Sequence, residues 1–351
     1  MPDLQQHART DAAHSTADQT PTANTRARGA RRGLGLVERY AVPGLLVVLV
    51  IGFSSFPATA AAFPTRTNIQ NLFSGQAVLG IAAIAVLIPI IAGKYDLSVG
   101  AVLGASSLLG AGLMARNGIP PSAAILIVLA AGIVIGFVNG YVVAYLGVNS
   151  LIVTTATATV ISGFVLWYSQ SQVITGIPLS ITDAAIGEWL GVPKLVFGFA
   201  LIAVLAYLML RFTPYGRYIY AIGSNSRAAG LVGLNVPRLT CSTLVLSSAL
   251  AALAGIAQLG LQGSASPQLG PGFTLPALSA VFLGSTTIRP GTFNVAGTVI
   301  AVYLVAVIVN GLTLAGASDW VQPAFNGLAL LAAVILAAVI SRRRARRAPA
   351  T

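Results

Sequence analysis

Ten apolar segments recur along the chain, and this pattern limits the fold more than any other feature. A helix needs about 20 residues to cross the hydrocarbon core of a bilayer, and most segments reach that length. They cover residues 40–56, 70–92, 97–115, 122–145, 151–168, 195–212, 239–262, 275–285, 294–315 and 321–340. Only 8% of all residues are charged, against about 25% in an average soluble domain. We therefore predict an all-α integral membrane protein with about ten transmembrane segments, in which the short segment 275–285 is a partial helix.

The distribution of positive charge predicts the orientation of these segments. With ten crossings and a cytoplasmic N-terminus, 17 of the 20 Lys and Arg residues lie on the cytoplasmic side, which is the usual bias of membrane proteins. Only Arg66, Arg116 and Lys194 fall outside. Both termini are therefore predicted to be cytoplasmic, and residues 169–194 form the longest external loop.

The predicted segments divide the chain into a membrane domain and two basic tails. Residues 1–38 are polar and rich in Arg, and we predict a disordered cytoplasmic tail. Residues 39–341 form the membrane domain, which contains a cytoplasmic loop at 213–238, and residues 342–351 form a second basic cytoplasmic tail. Neither tail has interleaved aromatic residues for stacking on bases, so both are interpreted as membrane-proximal anchors rather than nucleic-acid sites.

Two further features bear on the first segment and on internal symmetry. The sequence "FPATAAAF" after the first segment resembles a signal cleavage site, but the region before it is too long for a signal peptide, so an uncleaved span is favoured. "VNG" occurs at residues 138–140 and again at 309–311, five segments later. This spacing is compatible with an inverted repeat of five plus five segments, as in many transporters, and chance similarity is the alternative.

The residue inventory argues against an enzyme or a metal protein. Both histidines, His7 and His14, lie in the N-terminal tail, and Cys241 is the only cysteine. No paired carboxylates occur in the apolar segments. We therefore predict neither a catalytic residue nor a bound cofactor or metal in this chain.

The few polar residues in or between the apolar segments are the candidates for a solute pathway or for breaks in helices. Those singled out are Asp96, Ser98, Asn139, Thr154 and Asn310. Asp96 has two interpretations: a cap at a helix break, which we favour, or an ionisable group lining a pathway. The others are neutral, which suits a neutral, hydroxyl-rich solute better than an ion, although helix–helix hydrogen bonding is the usual role of such residues.

A polar stretch, "YGRYIYAIGSNSRAAGLVGLNV" at residues 215–236, lies on the predicted cytoplasmic side. Within it we predict a short helix with Ser224 or Asn225 as the N-cap and Gly233 as a left-handed stop. Such a helix could lie on lipid, pack on its own bundle or dock on another protein. Docking is favoured because the chain has no G-x-x-x-x-G-K-[ST] nucleotide-binding loop of its own.

This stretch resembles the coupling-helix region of the permease subunits of bacterial ABC importers for monosaccharides. The family pattern is close to G-R-x-x-Y-A-I-G-x-N-x-x-A-A-x-x-x-G-[IL]-N-V. It is matched by Gly216, Arg217, Tyr220, Ala221, Ile222, Gly223, Asn225, Ala228, Ala229, Gly233, Leu234, Asn235 and Val236. "YDLSVGAVLG" at residues 95–104 and "VNGYVVAYLGVNSLIVTTAT" at 138–157 are similar to two further motifs of that family.

The resemblance implies a transport subunit without chemistry of its own, in the bacterial inner membrane. A separate ATP-binding subunit would dock on the coupling segment, a soluble binding protein would deliver a monosaccharide, and two permease copies or two related permeases would form the pathway. The coupling residues implied are Gly216, Arg217, Gly223, Ser224, Asn225, Arg227, Ala228, Ala229 and Gly233.

Two departures from the family pattern leave alternatives for the solute. Arg227 stands where the family often has Glu, and "GSTTIRPGTFN" with Arg289 and Pro290 replaces a glycine-rich motif. Related permeases carry branched-chain amino acids or nucleosides. A stand-alone secondary transporter is the alternative from another class.

Overall fold

The computed structural model describes residues 40–318 and 320–345, and in these ranges the chain forms thirteen helices and two short strands. The helices are α1 (Tyr40–Ser55), α2 (Arg66–Ile91), α3 (Val99–Ala115), α4 (Pro121–Ala144), α5 (Ser150–Ser169), α6 (Leu179–Ile186), α7 (Lys194–Phe212), α8 (Pro214–Ser224), α9 (Ser226–Leu231), α10 (Val236–Gln262), α11 (Pro271–Gly284), α12 (Val295–Leu314) and α13 (Val321–Ala345). The strands are β1 (Glu188–Trp189) and β2 (Val192–Pro193). The tail predicted at 1–38 lies outside the described residues, and so do residues 346–351 of the tail predicted at 342–351. Residues 342–345 of that tail instead continue helix α13.

Each predicted apolar segment corresponds to one helix, with ends that agree within a few residues. Among the described helices, six are long and apolar enough to cross a membrane: α2, α4, α5, α7, α10 and α12. Shorter apolar helices occur at Tyr40–Ser55, Val99–Ala115, Pro271–Gly284 and Val321–Ala332. A mostly helical membrane protein is confirmed, with the β1–β2 hairpin as the departure from the all-α prediction. Ten complete crossings, the inverted repeat and the cytoplasmic termini remain predictions.

Helices α2 and α10 occupy the middle of the bundle, and α4 packs closely on α10. The close approach depends on a stripe of glycines one turn apart on α4: Gly132, Gly136 and Gly140. A Cβ atom at Gly136 would lie 2.7 Å from the Leu244 carbonyl oxygen, too close for any side chain. Stripes of small residues are how helices in lipid bring their backbones together, because lipid leaves van der Waals contact as the main attraction.

The outer helices α4, α5 and α7 expose apolar side chains over much of their length. A surface of this composition belongs in lipid rather than in water. The loop predicted at 169–194 is more structured than expected, because it contains α6 and an antiparallel β1–β2 hairpin with Trp189 opposite Val192. Its strands are too short to show a periodic pattern in the sequence, which is why they were missed.

The bundle has two distinct ends. α2 begins beside the hairpin, and we name this the hairpin end. The other end carries α8 and α9 and is named the α9 end. Residues 92–98 at the α9 end are not helical and separate α2 from α3, as expected for a break around Asp96.

Candidate functional site

The polar stretch at the α9 end forms two helices, not one. α8 ends at Ser224, the chain is extended at Asn225 with φ of −156°, and α9 follows at once. Of the two predicted N-caps, Asn225 is the cap of α9, because its Oδ1 accepts a hydrogen bond from the Ala228 N–H at 3.0 Å. Gly233 has φ of 87°, the left-handed conformation predicted for the stop.

Helix α9 has one face toward the bundle and one face toward solvent. Ala229 is 5% exposed and seats the helix on its own protein. Arg227 and Ala228 are exposed, and Leu231 at the end of the helix is 85% exposed. The face open to a partner therefore carries a cation and an apolar side chain one turn apart. We name this the α9 face: Arg227, Ala228 and Leu231.

Helix α8 connects this face to the rest of the bundle. Gly223 lies against the backbone of Ile91, so closely that a Cβ atom would overlap the Ile91 carbonyl oxygen. The Tyr220 hydroxyl donates a 2.6 Å hydrogen bond to the Phe293 carbonyl oxygen. Burial raises the pKa of Tyr220 above its usual value, against an opposing effect of the nearby Arg289, so the hydroxyl remains a donor at neutral pH.

The other coupling candidates are divided between contact with the bundle and exposure. Gly216 is buried against the backbone of Leu210, and Arg217 is exposed. Among the residues whose side chains the structure describes, the cations at the α9 end are Lys94, Arg211, Arg217, Arg227, Arg238 and Arg289. Within the described residues, the ion pair is Arg66–Glu188 at the hairpin end. The six cations of the α9 end therefore have no carboxylate partner in this part of the chain. A positive surface of this kind complements an acidic or anionic one.

The break between α2 and α3 holds a buried carboxylate. Asp96 is fully buried, and its Oδ1 accepts from the Ser98 N–H at 3.0 Å and from the Ser98 hydroxyl at 2.5 Å. This bond to the N–H two residues ahead is an Asx-type turn. The predicted N-cap role needs correction, because the N-cap residue of α3 is Ser98 and Asp96 stabilises the turn that precedes it.

Two other candidates join the same buried cluster. Asn139 on α4 donates to the Ser98 hydroxyl at 3.2 Å and accepts from Thr157 at 2.6 Å. Thr154 on α5 accepts from the Leu97 N–H at 3.0 Å. Four of the five candidates thus hold α3, α4 and α5 together at the break, and the cavity described next does not include them.

A cavity of about 570 Å³ lies in the half of the bundle nearer the hairpin end. It is lined by the first halves of α2, α11 and α13 and by the second halves of α10 and α12. Its polar lining consists of Asn71, Gln76, Gln258, Gln262, Asn310, Thr313, Gln322 and Asn326. Within residues 40–318 and 320–345, no charged side chain lines it. Asn310, the remaining pathway candidate, exchanges two 3.0 Å hydrogen bonds with Asn68 on α2.

Asn310 is the one polar residue of this cavity among the five predicted pathway or helix-break candidates, although several others share a local signal. Gln258 and Gln262 are four residues apart, as are Gln322 and Asn326, and Asn310 and Thr313 are three apart. Residues three or four apart lie on one face of a helix. Paired neutral side chains at this spacing occur on three of the five helices that line the cavity, namely α10, α12 and α13.

Comparison with known proteins identifies relatives over most of the chain. Residues 68–339 match the family model described as branched-chain amino acid transport system / permease component. The ribose import permease protein RbsC of Bacillus subtilis is 35% identical over 295 residues, covering 84% of this chain and 90% of that protein. The autoinducer 2 import system permease protein LsrD of Yersinia enterocolitica is 34% identical over 272 residues, covering 76% and 82%.

The ribose import permease protein RbsC of Escherichia coli K12 is also similar, with 33% identity over 311 residues that cover 86% of this chain and 94% of that protein. No solved structure gives a significant match. Within the described residues, no group of three or more His, Cys, Asp and Glu side chains is placed to hold a metal ion.

Proposed function

Because the chain belongs to the branched-chain amino acid transport system / permease component family, we propose that it forms the translocation pathway of an ATP-driven importer for a monosaccharide. It is a multi-pass protein of the bacterial cell membrane. Two of the relatives described above are ribose import permeases by name.

The neutral lining of the cavity is the observation that supports a sugar. Each Asn or Gln side chain offers both donors and an acceptor, which matches the hydroxyl groups of a sugar. A branched-chain amino acid carries an ammonium and a carboxylate, and both would need partners of opposite charge when water is removed. Among the residues that the structure describes, no charged side chain lines the cavity. Neutral solutes are therefore favoured over zwitterions.

The proposed topology follows from the charge distribution. With the six cations of the α9 end in the cytoplasm, both termini are cytoplasmic, and the cavity faces the outside, where a soluble binding protein would deliver the solute. A second copy, or a related permease, completes the pathway. The cavity does not contain Asp96, so we assign that residue to the fold rather than to the pathway.

The α9 face is the proposed docking site for a separate ATP-binding subunit. α11 offers a physical link from this site to the cavity. Its residues Phe273 and Pro276 line the cavity, while Phe282 near its other end packs edge-to-face on Phe293 at 5.6 Å. The Phe293 carbonyl in turn accepts the hydrogen bond from Tyr220 on α8.

Reconstitution into proteoliposomes tests this function. With the ATP-binding subunit, the binding protein and ATP present, we expect uptake of labelled ribose or another pentose and no competition by leucine. Gln258→Leu removes one amide of the cavity, and a solute hydroxyl left unpaired costs about 1–3 kcal/mol, so uptake should fall by about 5- to 150-fold. Gln172→Leu, at an exposed amide outside the cavity, should leave it unchanged.

Two results would contradict the proposal. Uptake at the full rate without any ATP-binding subunit would indicate a stand-alone transporter. ATP-dependent uptake of leucine in preference to sugars would assign the chain to the amino acid branch.

A further inference from the structure

The tip of the β1–β2 hairpin, Trp189 and Leu190, combines an unfavourable backbone conformation with exposed apolar side chains. Leu190 and Gly191 form a two-residue turn with φ of 53° and 78°. Positive φ at both positions is typical of the type I′ turn, which favours Asn, Asp and Gly. Leucine is strained in this conformation, and Leu190 is also 99% exposed. Local strain and a fully exposed apolar side chain at one position are departures of the kind found at functional sites.

The hairpin is held against α2 in a defined orientation. Arg66 Nη2 lies 2.7 Å from Glu188 Oε2. Gln70 Nε2 donates to Glu188 Oε1 at 2.9 Å and to the Gly191 carbonyl oxygen at 2.8 Å. Glu188 is the one charged residue of segment 188–193, and these bonds turn it toward α2. The hairpin tip therefore presents only apolar side chains.

The hairpin tip continues an apolar stripe of α7. β2 leads directly into α7 at Lys194, and the Trp189 ring lies 6.0 Å from the ring of Phe197 in the first turn of α7. Phe197 is exposed, and so are the residues that follow it on the same face of the helix at intervals of three or four: Leu201, Val204, Leu205 and Leu208. In a membrane-spanning helix this face contacts lipid.

We propose that the hairpin tip is immersed in the bilayer interface and anchors the hairpin end of the bundle to lipid. The position fits, because the tip lies within five residues of the start of a membrane-spanning helix. The chemistry fits as well, since tryptophan is enriched at the boundary between headgroups and acyl chains. Lipid contact removes the exposure of Leu190 and so offsets the strain of its turn. The inference depends on the membrane location and not on the identity of the solute.

Tryptophan fluorescence tests this placement directly. The chain has three tryptophans, so the double substitution Trp167→Phe and Trp320→Phe leaves Trp189 as the only tryptophan, which is excited selectively over tyrosine at the red edge of its absorption band. In liposomes of phosphatidylcholine brominated near the glycerol end of the acyl chains, we expect blue-shifted emission with strong loss of intensity. Bromines near the methyl end should quench less, and aqueous iodide should quench weakly.

The control Leu190→Asn suits the type I′ turn better but removes the apolar tip side chain. In the single-tryptophan protein it should weaken quenching by the brominated lipid and strengthen quenching by iodide. A separate variant that retains only Trp167 reports whether the bundle inserts normally. Red-shifted Trp189 emission, quenched by iodide and not by brominated lipid, would overturn the proposal. Protection of Trp189 only after the soluble binding protein is added would also overturn it and would assign the tip to that protein.

Discussion

Removal of the cap of α9 is the most direct test of the docking segment. In Asn225→Ala, the Ala228 N–H loses its 3.0 Å hydrogen bond. Loss of an N-cap side chain destabilises a helix by about 0.5–2 kcal/mol. α9 has only six residues, far fewer than a helix needs to be stable alone. The lost bond should therefore shift α9 toward unfolded conformations and not merely fray its first turn.

If the ATP-binding subunit binds only folded α9, the free energy by which the substitution destabilises α9 is lost from the free energy of binding. A range of about 0.5–2 kcal/mol corresponds to a dissociation constant about 2- to 30-fold higher for the ATP-binding subunit. The measurement is the affinity of that subunit for the permease in nanodiscs, together with ATP-driven uptake in proteoliposomes. Both should fall while membrane insertion stays normal.

The chain contains a matched control for this experiment. Asn235 caps α10 through a bond of the same length, 3.0 Å, to the Arg238 N–H. α10 has 27 residues, so Asn235→Ala should fray one turn and leave binding intact. Asn225→Ser retains a cap oxygen and should restore most of the affinity. Equal losses in Asn225→Ala and Asn235→Ala, or no loss in either, would refute the role given to α9.

Two further predictions concern the packing of α8 against Ile91 and the buried turn at Asp96. Gly223→Ala must displace α8 from Ile91; overpacking costs about 1–3 kcal/mol, so thermal stability and co-purification of the ATP-binding subunit should both decrease. Gly163→Ala on α5, where nothing lies within 4 Å of the added Cβ atom, should lower neither. Asp96→Ala removes two bonds with Ser98 and should lower the melting temperature; a normally stable but transport-inactive variant would instead indicate a pathway role.

Local features were predictable because their causes lie within a few residues. The length of an apolar run sets the length of a helix, so segment 239–262 corresponds closely to α10 at Val236–Gln262. Cap and stop residues act on neighbouring N–H and C=O groups, so Asn225 and Gly233 could be assigned from the sequence. The spacing of three or four residues between polar side chains of the cavity also indicates that each pair lies on one face of its helix.

Faces of helices were not predictable in the same way. In a soluble protein, an apolar stripe shows which side of a helix is buried. In lipid the exposed side is apolar too, so the stripe is lost. Ala229 is an example: the motif suggested a docking residue, and the fold turns it into the bundle. Asp96 is another, because nothing local indicates that it lies apart from the cavity.

The sequence by itself determined the class of protein, the helical segments, the capped docking segment and the resemblance to importer permeases. Only the tertiary structure decided which side chains share a site. Asn68 and Asn310 are hydrogen-bonded across 242 positions of sequence, and five helices contribute to one cavity. Helix formation depends on neighbours within four residues, whereas a site depends on which helices pack together, and small residues such as Gly136 set that packing through contacts far apart in the chain.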